Sequence, residues 1–273
     1  MFSEVFEAVS PWPPPKREDC YFYHSLTLAS GEEIEGFWDI RGMFDQYIGN
    51  YQLAGKTVLD VGTASGFLAF AAERAGATVT AIEARTGREF ARIPFGLSDY
   101  HLNRSYFVTH TDGWLRQLKN SFWYAWHDQS SKVEVVYAPL ADLPFWGRKF
   151  DVVIAGAIVE HLSDPVTVIG NIAQLAYEAV ILAFTPVTDT EELAMKPAIA
   201  WDNPELDYTW WELSRGLYKR VFGNLGFQVE IVDARAIATR GEILSRSLQK
   251  HVRRRTPVIR PTIIARRSAG STP

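Results

Sequence analysis

Thr57-Val58-Leu59-Asp60-Val61-Gly62-Thr63-Ala64-Ser65-Gly66-Phe67 carries a short apolar run into an aspartate and then into a turn bounded by two glycines. Phe67-Leu68-Ala69-Phe70-Ala71-Ala72-Glu73-Arg74-Ala75 follows with the residue types of a helix, and Gly76 stops it. Together these segments read as a buried parallel strand, a tight turn and a helix N-terminus. In such a unit the glycines let the backbone approach a ligand, and the unpaired N–H groups of the first helical turn face anything anionic. A second strand, Thr78-Val79-Thr80-Ala81-Ile82, ends in Glu83, with Ala84 beside it. An acid about twenty residues past the end of the first strand suits a two-point grip on ribose hydroxyls. The layout points to a nucleotide-like cofactor on a doubly wound, mostly parallel α/β sheet with helices on both faces.

The glycine pattern separates two cofactor classes. A dinucleotide site wants Gly-x-Gly-x-x-Gly, because a pyrophosphate must lie against the backbone. Here the glycines stand at 62 and 66 with Ala64 between them, so that pattern fails. The Asp-x-Gly-x-x-x-Gly turn instead resembles that of the class I S-adenosylmethionine-dependent methyltransferases, with Ala64 where a central glycine is usual. A second stretch, Phe150-Asp151-Val152-Val153-Ile154-Ala155-Gly156-Ala157-Ile158-Val159-Glu160-His161-Leu162-Ser163-Asp164-Pro165, is also similar to that superfamily. The resemblance covers roughly residues 55 to 267. It implies a Rossmann-like, seven-stranded domain that binds S-adenosyl-L-methionine.

The same resemblance assigns the cofactor-binding residues. Asp60, Gly62, Thr63, Ala64, Ser65 and Gly66 form the turn, Glu83 and Ala84 lie at the ribose, and Gly156 and Ala157 leave room at the end of the fourth strand. Many relatives carry Asp-x-x-x-Leu-Pro-Phe after the third strand, with an acid near the adenine. Here Asp142 directly precedes Leu143-Pro144-Phe145, and Pro139 takes the place of the earlier acid. Adenine recognition is therefore expected from the backbone of Leu140 and Ala141, with Asp142 as a further acceptor.

Composition bounds the rest. The chain has 273 residues, 47% of them hydrophobic, and a formal net charge of -4. That length fits one elaborated α/β domain. No apolar run reaches the ~20 residues of a membrane span, and no leader pattern is evident, so a cytoplasmic protein with no membrane partner is expected. Cys20 is the single cysteine, which rules out an internal disulfide and a thiolate metal cage. Nine tryptophans are more than a core of this size needs.

Residues 1–52 read as an extension that caps the domain. Phe2, Val5, Phe6 and Val9 share one face of a short amphipathic helix, and Ser10-Pro11-Trp12-Pro13-Pro14-Pro15 is a stiff extended connector. Tyr21–Leu28 and Glu33–Trp38 flank a Ser30-Gly31 turn and predict a hairpin. Residues 53–267 form the main domain, with a helical insert at about 88–132 in which Trp114, Leu118 and Phe122 repeat at helical spacing. Trp123, Tyr124, Trp126 and His127 exceed one buried stripe, and some are expected to line a pocket. An acceptor-side loop spans about 185–208, helix is expected from Ile169 to Tyr177 and from Trp211 to Phe222, and 268–273 is a frayed tail. Between Arg235 and Arg267 ten Lys and Arg residues face Glu242 alone, and the Lys250 to Arg255 run could attract phosphate or RNA.

The resemblance implies methyl transfer by in-line displacement, in which placement of acceptor and methyl does most of the work and no metal is required. His161 and Glu160, just past the fourth strand, are the candidate catalytic residues, and a hydroxyl acceptor would need such a base. Trp38, Arg41, Trp201 and Trp211 are the candidate acceptor contacts, with Asp39 beside the first two. Trp38, Trp201 and Trp211 are expected to surround one cleft with His161. The leading expectation is a small-molecule acceptor, such as a metabolite, sugar or natural product. The alternatives are a tRNA-modifying methyl or carboxymethyl transferase, from a faint similarity of the segment beginning at Trp38, and a cofactor-binding but inactive subunit.

Overall fold

Strands buried on both faces need apolar side chains at every position rather than at alternate ones, and the central runs of this chain supply them. The computed structural model describes residues 3–90, 92, 98–198, 211–240 and 256–270. In chain order the strands are β1 (Leu26–Thr27), β2 (Glu33–Ile34), β3 (Trp38–Asp39), β4 (Thr57–Val61), β5 (Thr78–Glu83), β6 (Glu134–Tyr137), β7 (Phe150–Gly156), β8 (Ala176–Ala183), β9 (Val187–Thr188), β10 (Met195–Pro197), β11 (Trp211–Ser214), β12 (Phe227–Arg240) and β13 (Thr256–Arg267). The helices are α1 (Phe44–Tyr47), α2 (Phe67–Arg74), α3 (Asp99–Leu102), α4 (Arg104–Asp128), α5 (Pro165–Gln174) and α6 (Arg215–Asn224).

The main sheet runs β3-β12-β13-β8-β7-β4-β5-β6. The five strands from β8 to β6 are parallel, and β13, β12 and β3 join antiparallel. Seven of these strands are the ones expected from the sequence. The eighth, β3, comes from the N-terminal extension and pairs Trp38 with Arg240 and Asp39 with Thr239. Along β4, β7 and β8 the buried side chains alternate between two cores. Val58, Val152, Ile154, Ile181 and Ala183 pack with α1, α2 and α4, whereas Leu59, Val61, Val153, Ala155, Val180 and Leu182 pack with α5 and α6. From β4 the chain moves outward through β5 to β6, then returns to lay β7 and β8 on the other side. The crevice of such a topology opens past the C-terminal ends of β4 and β7.

Several elements differ from expectation. Residues 3–6 form one 3-10 turn, not an amphipathic helix, after which Ala8 bridges Val136 and the Val9 amide donates to Val135 O at 2.8 Å. The edge of β6 offers unpaired backbone groups, and the extension covers them. The hairpin is short, Leu26 opposite Ile34 and Thr27 opposite Glu33. The insert holds one long helix, α4, preceded by the single turn α3. Its buried stripe is Phe107, Thr111, Leu115, Leu118, Phe122 and Ala125, with Trp114 only half-buried.

The extra aromatics of α4 are tied to the extension and to the strand region after the helix. Trp123 is buried and donates from Nε1 to Tyr137 Oη at 3.0 Å, Trp126 donates to Val133 O at 3.1 Å, and His127 Nε2 lies 2.6 Å from Trp12 O. Helix α5 starts at Pro165, earlier than expected, because Asp164 caps it by accepting from the Thr167 amide at 3.2 Å, with proline in the first turn. Trp211–Ser214 is a strand rather than helix. It pairs with β10 and β9 in a small three-stranded sheet, and Ser214 Oγ then caps α6 by accepting from the Leu217 amide at 3.1 Å. Trp201, Asp202, Asp207, Trp210 and the Lys250–Arg255 run lie outside the described residues. Among the described residues no helix is long and apolar enough to cross a membrane.

Candidate functional site

The turn after β4 is shaped by its backbone. The Gly62 and Thr63 amides both donate to Ile82 O, at 2.9 and 3.2 Å, and the Gly66 amide donates back to Thr63 O at 2.8 Å. Gly62, Ala64 and Gly66 all have positive φ (74°, 51° and 89°). A side chain at Gly62 would meet Ile158 Cδ1 at 2.7 Å, and one at Gly66 would collide with Phe70 and come within 2.8 Å of Phe122. Both positions favour glycine for their positive φ, and Gly66 does so on steric grounds as well. Ala64 pays the left-handed cost that glycine would avoid. Strain of this kind gathers at the strand ends, because Ala157 after β7 (φ 49°) and Phe184 after β8 (φ 54°) share it.

Glu83, at the end of β5, closes the turn from the side. Its Oε2 accepts from the Ala64 amide at 3.0 Å and its Oε1 from the Ala84 amide at 2.8 Å. Burial pushes its pKa up, while those two amides and the Lys119 ammonium pull it back down. Lys119 reaches this point from α4, donating to Arg85 O at 2.9 Å with its ammonium 4.0 Å from the Tyr137 ring centroid. Tyr137 pairs with Glu83 across β5 and β6. The segment after β6, carrying Leu140, Ala141 and Asp142, is a 3-10 helix (Leu140–Phe145), with Leu140 O held by Asn171 Nδ2 at 3.2 Å.

Four buried polar atoms around the same turn have no hydrogen-bond partner: both carboxylate oxygens of Asp60, the Thr63 hydroxyl and His24 Nδ1. Asp60 is 1% exposed, and burial raises its pKa to about 7. His24 comes from the N-terminal extension. Its amide donates to Ser65 Oγ at 3.0 Å, and its ring packs 5.9 Å from Phe67, the first residue of α2. The residue is half-buried with Nδ1 inside, and burial lowers its pKa to about 4. Native proteins leave few buried polar atoms unpaired, and here Thr63 lies close enough to Asp60 to favour its charged form against the burial.

Past β7 and β8 the crevice is walled by rings. Tyr47 stacks on Phe184 (5.6 Å, 22°), and Trp38 meets Phe184 edge-on at 5.8 Å while donating from Nε1 to Tyr23 Oη at 3.1 Å. A side chain at Gly156 would lie 3.3 Å from Tyr47 Oη and 2.6 Å from Leu68, so glycine lets both pack against the end of β7. The Arg260 guanidinium lies 5.2 Å from the Phe184 ring centroid and donates to Glu160 Oε1 at 2.6 Å. A cavity of about 240 Å³ opens beside Arg260, lined by Val187, Arg215, Asp233, Ile259 and Pro261. A larger one, about 420 Å³, lies between α6 and Glu191–Leu193, away from the turn.

A profile of the family described as "methyltransferase domain" matches residues 43–233, which spans the turn, Glu83 and the end of β7. The chain belongs to that family. It is a class I S-adenosylmethionine-dependent methyltransferase. No curated protein matches the sequence. Similar solved structures include magnesium protoporphyrin IX methyltransferase from Synechocystis PCC 6803 with bound SAH, at 16% identity over 84% of this chain and 82% of that one, TM-score 0.48. Another is the N-terminal domain of EvdMO1 in the presence of SAH and D-fucose, at 15% identity over 92% and 93% of the two chains, TM-score 0.49. Likenesses of that size carry no argument about the acceptor.

The methyltransferase brings Asp60, the Gly62–Gly66 turn, Glu83, Ala84, Gly156 and Ala157 to one crevice, and Trp38 and Glu160 to its mouth. Glu160 is 1% exposed and tied to Arg260, so its carboxylate is built into the wall and is poorly placed as a free base. His161 is half-buried in the same one-turn helix (Val159–His161), its amide donating to Ile158 O at 3.0 Å. Arg41 spends its guanidinium on Asp39, at 2.9 and 2.7 Å, and on Glu33, bracing the hairpin. Trp211 packs with the α5 and α6 core and donates to Ser163 O at 3.2 Å, whereas Trp38 packs with the α2 core. These two tryptophans therefore serve opposite faces of the sheet. Trp201 lies outside the described residues. No sequence motif singles out His24, Tyr47, Phe184, Lys119 or Arg260. Each sits in a segment whose periodicity already explained it as strand or helix, and only the tertiary fold aims it at the crevice.

Proposed function

We propose that this methyltransferase holds S-adenosylmethionine across the β4 turn and the end of β7, and methylates a small-molecule acceptor at the aromatic mouth. The residues present fit that cofactor. The buried Asp60 carboxylate and Thr63 hydroxyl put polar atoms at the turn, and Gly62 and Gly66 supply the positive φ that shapes it. A carboxylate has about four acceptor sites, so Glu83 keeps capacity for the ribose hydroxyls beyond its two amides. Leu140, Ala141 and Asp142 flank the adenine end. When bound, the cofactor supplies an electrophilic methyl group on a sulfonium.

The chain's own residues then orient and exclude. Tyr23, Trp38 and Tyr47, all from the segment preceding β4, close over Phe184 and keep water from the crevice. This supports reading residues 1–52 as a cap on the main domain. The half-buried imidazole of His161 is the group suited to take a proton from a hydroxyl acceptor. The observation that carries the small-molecule reading is the ring cluster at the end of β8: Tyr47 stacks on Phe184 and Trp38 meets Phe184 edge-on, both within 6 Å. The test uses the full chain with methyl-labelled cofactor, once with a metabolite panel and once with bulk tRNA. Label entering a small molecule is the expected result. Label entering only RNA, with retention that weakens steeply with salt, would replace the reading with the tRNA alternative.

A further inference from the structure

We propose that His24 is a cofactor-binding residue, its Nδ1–H donating to the carboxylate at the amino-acid end of S-adenosylmethionine. This rests on the reading that the β4 turn holds that cofactor, and it assigns a role to a residue of the N-terminal extension that the turn motif does not contain.

The backbone at His24 is fixed from both sides. Its amide is bonded to the fully buried Ser65 Oγ, and on the other flank the Ser25 amide donates to Trp38 O at 2.7 Å while Ser25 Oγ accepts from the Gly36 amide at 3.0 Å. Gly36 makes that approach possible, since any side chain there would run into the backbone of His24 and Ser25. The ring is held edge-on by Tyr23 at 4.9 Å. A side chain pinned this firmly still leaves Nδ1 without surface and without a partner. An orphaned buried donor or acceptor costs ~1–3 kcal/mol, and nothing in the packing of the hairpin requires a polar ring there.

Topology says which end of the cofactor His24 faces. Glu83 and the segment after β6 mark the ribose and adenine on the β5 side of β4. His24 lies on the other side, since its strand bridges Trp38 and Trp38 touches Phe184 at the end of β8. The remaining part of the cofactor is its amino-acid end, a zwitterion. Asp60 and Thr63 provide oxygens suited to its ammonium, which leaves the carboxylate for a donor. A ring kept neutral by burial can present Nδ1–H as that donor, and the tautomer is set by this bond.

The experiment compares two ligands by titration calorimetry on the full chain: S-adenosylhomocysteine, and 5′-methylthioadenosine, which keeps the adenosine and thioether but lacks the amino-acid end. His24→Phe is expected to weaken S-adenosylhomocysteine at least tenfold and methylthioadenosine less than twofold. His24→Asn, whose side-chain N–H can occupy the Nδ1 position, is expected to recover part of the loss. The melting temperature of ligand-free His24→Phe should not fall, because the change removes an orphaned nitrogen. Equal weakening of both ligands, or unchanged binding of S-adenosylhomocysteine, overturns the proposal; if His24→Phe fails to fold, the two-ligand comparison on His24→Asn decides. Failure of the unsubstituted protein to bind either ligand would instead overturn the cofactor reading itself, and this proposal with it.

Discussion

At position 60 a carboxylate stands on a strand whose neighbours are apolar, and that single substitution of type was enough to mark the turn in the sequence. Its energetic consequence is visible only in the fold. Because burial raises the Asp60 pKa from 3.8 to about 7, the ligand-free folded state keeps a proton that the unfolded chain releases near pH 4. Stability from this group is therefore highest at low pH and is lost as pH rises from about 4 through 7. At 1.36 kcal/mol per unit the loss has a ceiling of roughly 4 kcal/mol. Asp60→Asn, similar in shape, should match the unsubstituted protein near pH 4 and exceed its stability at pH 8, while binding cofactor more weakly. Urea unfolding of both ligand-free proteins across that range checks it, and parallel curves would show that Asp60 is not the titrating group. Glu83 teaches the complementary lesson. Its place at the end of the second strand was readable from spacing, but its bonds to the Ala64 and Ala84 amides depend on how the turn folds back. The residue thus braces the turn through both carboxylate oxygens.

Among the elements, the strands were the most readable, since long apolar runs bounded by glycine leave little choice of structure. Helix boundaries suffered where a cap signal was read for something else. Asp164-Pro165 belongs to the family resemblance, and physically it is the start of α5; Ser214 in the same way marks where α6 begins and the Trp211 strand ends. The stripe on α4 was read as packing, but periodicity cannot name the partner. That partner includes α2: Phe122 meets Phe70 at 4.9 Å, and the absent side chain of Gly66 makes room for both rings. The insert helix is thereby a wall of the cofactor turn. Phe122→Ala should cost ~3–5 kcal/mol, as buried aromatic truncations do, and should weaken cofactor binding because the void opens beside Gly66. Phe122→Leu should cost about 1.5 kcal/mol or less if neighbours repack. Chemical denaturation with ligand titration measures both; a Phe122→Ala protein that loses stability but binds cofactor unchanged would separate α4 from the site.

At the scale of the whole molecule, the N-terminal extension links the two edges of the sheet. Ala8 bridges β6 at one edge, and β3 pairs with β12 at the other. Between them Trp12 packs on Trp123 and Tyr137, the Tyr21 amide donates to Gln117 O, and His24 settles on the turn. The segment runs along α4 between those end points and reaches the turn at His24, so the cap and the turn are joined. Sequence could show a stiff proline connector and a hairpin, but the destination of a connector is a tertiary fact. The two tryptophans of this segment should then behave differently. Trp12 lies at the strap, far along the chain from the mouth, and Trp12→Ala should cost about 2 kcal/mol of stability, less than a fully buried ring because Trp12 is partly exposed. Trp38 lies at the mouth, against Phe184 and bonded to Tyr23. Trp38→Ala should leave a folded protein that binds S-adenosylhomocysteine nearly as before but turns over its acceptor at least tenfold more slowly. Melting temperature, ligand affinity and turnover of the two variants, measured side by side, distinguish a wall from a brace. If Trp38→Ala loses stability and cofactor affinity together, as a packing residue would, the ring is a brace and the acceptor lies elsewhere along the crevice.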